Sequence, residues 1–240
     1  MYALIPMIVG VISLKNISLW QSQEMIRKGL FWAGIGLFSW GTGGLIWLYY
    51  SFFENIILPY PSIADLFYLP GALFYSLGVI YFARASGSDL KLKKMSAKIF
   101  VVTSTIVISV VSYYVLVTIA RGGTLFDPES SILKNFLNIA YPCMDFVGLT
   151  IAVLVTGISL KNIVPKYRIA LVGLTCGLVL MFVSDSLLTY FIIQGIYYTG
   201  CLCDLSFCVA ILTFTFGVLG FCGERVDQIE HKIDSSGFCE

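Results

Sequence analysis

An all-α, polytopic membrane protein of seven transmembrane helices is the fold this sequence predicts, and three observations predict it. Of 240 residues, 58% are hydrophobic and 12% charged, against about 25% charged in a soluble domain. The charges are also segregated, leaving uncharged runs at 29–53, 66–83, 99–120, 146–160, 205–223 and across most of 169–203. A bilayer core of about 30 Å takes roughly 20 apolar residues to cross, and these runs meet or approach that length.

Taken in order, the first helix, 1–19, is the shortest. It is uncharged up to Lys15, and the positive charge follows the apolar run, the reverse of a signal peptide. Helix two, 29–50, carries Gly34, Gly36, Gly41, Gly43 and Gly44, small residues that let membrane helices approach closely. Helix three opens at Pro61, in PSIADLFYLPGALFYSLGVIYF, and Pro70-Gly71 inside it predicts a kink. Helix four covers 99–120. Helix five reaches spanning length only by including Asp145 and the residues before it, and it ends at Lys161. Helix six starts after Lys166 and Arg168, and helix seven finishes near Gly223. The division is therefore a transmembrane domain, 1–223, and a short tail, 224–240.

Charge sets the expected orientation. The 15–28, 84–98 and 161–168 links and the tail hold every Lys and Arg except Arg121 and Lys134. The positive-inside rule then puts the N-terminus outside a cell membrane and the C-terminus in the cytoplasm. The segment ISLKNI occurs at 12–17 and again at 158–163, each time followed by a hydrophilic link, a helix with Ser39-Trp40 or Ser184-Asp185 at matching depth, and a helix opened by an aspartate. Helices one to three thus resemble five to seven as an internal parallel repeat.

Four aspartates are the candidate ligand-binding residues. Asp65, Asp145 and Asp204 stand at the expected outer starts of helices three, five and seven, where an acid complements the helix dipole. Asp185 differs, lying about 24 Å into helix six at 1.5 Å per residue. A carboxylate inside a membrane costs about 2.5–3.5 kcal/mol and normally faces the bundle interior. Similar depth for all four predicts an outward-opening acidic pocket for a cation, a protonated amine or exchangeable protons. Cys143, Cys201 and Cys203 flank these acids, and their spacing admits either an outer disulfide or a metal. Trp47, Tyr49, Tyr50, Tyr60, Tyr68, Tyr190, Tyr197 and Tyr198 are expected mainly in an interfacial aromatic belt. In the tail, Val226, Ile229 and Ile233 recur at helical spacing as a candidate partner contact.

Other functions lack their residues. There is no basic patch with interleaved aromatics for nucleic acid. His231, the single histidine, follows the last span, which excludes bis-histidine haem ligation within the bilayer. No nucleophile elbow is present, and helix seven offers no lysine for a Schiff base. No enzyme activity and no cofactor are expected.

PYPSIADLFYLPGALFYSLGVIYF, the YPCMD helix and the VSDSLL…TGCLCDLSF pair resemble the multi-helix membrane input regions of prokaryotic signalling proteins. In those proteins the region precedes PAS, GGDEF/EAL or histidine-kinase modules, none of which is recognised here. The resemblance implies a sensor, free-standing, truncated or split from its output, that signals through helix seven to a second copy or to a separate kinase or cyclase. A small transporter or ion-coupled carrier is the alternative expectation, resting on the repeat and the acids.

Overall fold

The long uncharged runs become helices, as their hydropathy requires. The structure, a computed structural model, describes residues 3–56, 60–87, 95–159 and 164–222. Its helices are α1 (Leu4–Asn16, prolonged by a 3-10 turn over Ile17–Trp20), α2 (Glu24–Phe53), α3 (Asp65–Ala85), α4 (Met95–Ser112, continuing as a π-helical stretch over Tyr113–Ile119), α5 (Ile132–Ser159), α6 (Pro165–Ile193) and α7 (Leu202–Cys222). No strand occurs among the described residues. Six helices, α2 to α7, are long and apolar enough to cross a membrane. Val102, Ile106, Val110, Ile169, Leu205 and Phe216 are exposed on the outside of the bundle, a surface suited to lipid rather than water.

Two expectations from the sequence need correction. The first helix has 13 residues and its 3-10 turn four more, fewer than the roughly 20 that a bilayer core takes, and it is not among the six helices long enough to cross. The second concerns helix five. Asp145 does not open it: α5 begins at Ile132 and runs 28 residues, with Pro142 inside it and Asp145 near its middle. The start is set by Ser131, whose Oγ accepts the Lys134 backbone N–H at 3.2 Å, the usual manner of a serine N-cap. The apolar residues after that cap carry the helix through the proline.

Close packing comes from glycine. A methyl group on Gly36 of α2 would collide with the Tyr75 backbone of α3, and one on Gly177 of α6 would lie 2.7 Å from Phe214 Cβ of α7. Both contacts need a bare Cα, so α2–α3 and α6–α7 form tight pairs. Ser39 Oγ adds a 2.8 Å hydrogen bond to the Phe67 carbonyl, next to the carbonyl that Pro70 leaves without its helical partner. The pairs join through aromatic rings. Phe82 of α3 stacks on Phe221 of α7 at 4.2 Å, and Tyr167 of α6 covers the same ring at 5.2 Å. Helix α1 packs on α2 and closes against α7, while α5 lies between α3 and α6 and carries α4 on its outer side.

Candidate functional site

A cavity of about 450 Å³ opens at the end where α2 and α6 finish and α3, α5 and α7 begin. Its wall draws on α2, α3, α5, α6, α7 and the 121–130 link. All four aspartates singled out in the sequence reach it, in company with Asp127, against Arg121 and Lys134 as the basic residues of the lining. They reach it in three different ways.

Asp65 is a structural anchor as well as a wall residue. Its Oδ2 accepts the Ser62 N–H at 2.7 Å, while Ser62 Oγ accepts the Ala64 N–H at 3.2 Å. This is close to a capping box, with Ser62 and Asp65 three residues apart. The other carboxylate oxygen accepts the Tyr141 hydroxyl of α5 at 2.6 Å. Asp204 is held locally, by the Gly200 N–H at 2.6 Å and the Tyr197 hydroxyl at 3.4 Å.

Asp145 and Asp185 form the centre. One lies in the middle of α5 and the other on α6, their carboxyl groups are near enough to act on each other, and both are half-buried at the cavity wall. Arg121 faces both acids and donates to the Leu116 carbonyl at 2.9 Å. Burial pushes the Arg121 pKa below its ordinary value, and Asp145, Tyr60 and Asp185 oppose that shift; a guanidinium nevertheless stays charged. Tyr60 donates to Asn138 Oδ1 at 2.9 Å. Burial first, and then the Asp65 charge, raise its phenol to about 12, with Arg121 acting the other way. Tyr60 is therefore a neutral donor at physiological pH.

Much of the remaining wall is aromatic: Trp40, Trp47, Tyr68, Tyr75, Tyr197 and Phe207. Trp47, Tyr60, Tyr68 and Tyr197 were expected in an interfacial belt and instead line the cavity; Tyr49, Tyr50, Tyr190 and Tyr198 do not. Sequence reasoning also missed Arg121, which looked like an ordinary loop charge, and Tyr141, which looked like the residue before a helix. The S-x-x-D spacing of Ser62 and Asp65 was a readable signal for the cap. No sequence pattern marked Arg121.

Cys143 is exposed, Cys201 and Cys203 are buried, and all three are free thiols, so the outer disulfide admitted by the sequence is not formed. Val226, Ile229 and Ile233 lie outside the described residues. No protein-family model, curated protein or solved structure matches this chain.

Proposed function

We propose that the protein is a receptor-like module of the cell membrane that binds a small organic cation, such as a protonated amine, in the acidic cavity. One observation carries this reading: the Asp145–Asp185 pair, partly offset by Arg121, in a wall rich in aromatic rings. Carboxylates supply the charge for an ammonium group, and aromatic faces attract it further, by about 0.5–2 kcal/mol each. In the proposed orientation the N-terminus and the cavity mouth face outward and the C-terminus is cytoplasmic, in line with the basic residues at the opposite end. Signal would pass along α7 to the tail, where Val226, Ile229 and Ile233 meet a second copy or a separate kinase or cyclase.

A carrier is the second reading, and the repeat favours it. Gly78 of α3 packs against Ala33 of α2, and Gly217 of α7 against Leu174 of α6, so both helix pairs are closed by a glycine. One experiment separates the readings. The purified chain is tested with phenethylammonium and its neutral counterpart 2-phenylethanol, by thermal shift in detergent and by flux in proteoliposomes. The receptor reading expects stabilisation by the amine alone, its loss in Asp185→Asn, and no flux. Flux of the amine supports the carrier, and equal response to the alcohol defeats both.

A further inference from the structure

The chain enters α7 through Gly200, at φ +89°, and that turn gathers Cys201, Cys203 and Asp204. Their two sulfur atoms and one carboxylate oxygen all lie within 4.8 Å of one another. Cys201 is 2% exposed and Cys203 0%. Buried cysteines usually pack as small apolar residues, and Cys222, bonded at 3.9 Å to Ser13 in the helix interface, fits that description. The cluster at the head of α7 does not. Three donors of metal-binding type converge there, and the carboxylate is fixed by groups that do not themselves ligate, the Gly200 N–H at 2.6 Å and the Tyr197 hydroxyl at 3.4 Å. Outer hydrogen bonds of this kind orient a ligating carboxylate. Asp204 and Tyr197 also face the cavity, which gives an ion a route to thiols that are closed to bulk solvent.

We propose that Cys201, Cys203 and Asp204 are a binding site for a thiolate-seeking d10 cation of the Zn²⁺ class. The donor set decides the class: two sulfurs exclude Mg²⁺ and Ca²⁺, which take oxygen ligands, and suit Zn²⁺, Cd²⁺ and Cu⁺. Bond lengths of about 2.3 Å to sulfur and about 2.0–2.2 Å to oxygen put ligand atoms roughly 3.5–3.8 Å apart around a tetrahedral ion. From atoms within 4.8 Å of one another, the cluster must contract by about 1 Å to reach that size. Binding of a divalent ion expels both thiol protons and leaves a site of net charge −1. The site shares Asp204 and Tyr197 with the cavity wall but uses neither Asp145 nor Asp185, the pair that carries the amine reading.

Cobalt is the probe. The full-length chain, purified in detergent under reducing conditions, is titrated with Co²⁺ and then with Zn²⁺. One equivalent of Co²⁺ should give thiolate-to-cobalt charge-transfer and tetrahedral d–d absorption, and Zn²⁺ should displace it. Cys201→Ser and Cys203→Ser should abolish the charge-transfer band, and Cys176→Ser should leave it intact. Should the cysteine variants fail to fold, Tyr197→Phe still decides, with an expected loss of about tenfold or more in Co²⁺ affinity. A titration without the charge-transfer band overturns the site. So does a band that survives Cys203→Ser, an affinity unmoved by Tyr197→Phe, or a Cys201–Cys203 disulfide that resists reduction in the folded chain.

Discussion

The bundle has two kinds of seam, and the cavity lies between them. Helices α2, α3, α6 and α7 meet through glycine and stacked rings, backbone against backbone. Helices α4 and α5 form a flank with far less burial: 56% of the central window is buried in α2 and in α6, against 17% in α4 and 11% in α5. At the cavity end the flank is tied to the frame by polar links instead, Tyr141 to Asp65 and Asn138 to Tyr60, beside the acid pair Asp145 and Asp185. Apolar backbone packing has no alternative partner of equal quality, whereas a hydrogen bond can be exchanged for one to a ligand.

The contrast breaks most visibly at two glycines. Gly177→Ala should destabilise by about 1–3 kcal/mol, because the new methyl must displace Phe214 backbone. Gly148→Ala on the flank meets only Leu178, at 3.9 Å, and should stabilise by about 0.5–1 kcal/mol through better helix propensity. Unfolding in mixed detergent, compared across the two variants, checks the pair; equal effects would erase the distinction between frame and flank.

Arg121→Gln tests the competition at the centre. It removes the cation already facing the acids, so phenethylammonium should bind about tenfold more tightly, which is about 1.4 kcal/mol. Weaker binding would mean that Arg121 builds the site rather than competing within it. Tyr141→Phe cuts one polar link, with an expected cost of about 0.6–1.7 kcal/mol for a hydrogen bond between membrane helices. Amide exchange should rise in α5 and remain slow in α3; a rise in both would show that the link supports the frame as well.

The smallest effect concerns the link between α4 and α5. The Ser130 hydroxyl first, and then the Glu129 N–H, hold the exposed Asp127 carboxyl below its ordinary value of 3.8. A depressed folded pKa gives stability that is present above the unfolded value and lost as pH falls through the folded one. Amide exchange in residues 121–131 should therefore be flat from neutral pH down to about 4 and rise below it, after correction for the intrinsic rate. Asp127→Asn should remove the step and leave α6 unchanged.

Hydropathy is a local property, which is why the sequence alone determined the six long helices and the place of Asp185 well inside one of them, α6. Caps are local too, so Asp65 and Asp204 fell in the first turns of α3 and α7, as their places at the heads of apolar runs required. Asp145 was misplaced because a proline reads as a helix start, while a serine cap eleven residues upstream and continuous tertiary support carried α5 through it. Tertiary structure alone decided what the acids face. Whether Asp145 meets Asp185 depends on the rotation and depth of α5 against α6, and an error of one residue turns a helical side chain by about 100°. Whether Arg121 is a loop charge or a countercharge depends on where the π-helical end of α4 delivers the chain. Those angles are set by the sum of many contacts between segments distant in sequence, and no single stretch of sequence contains them.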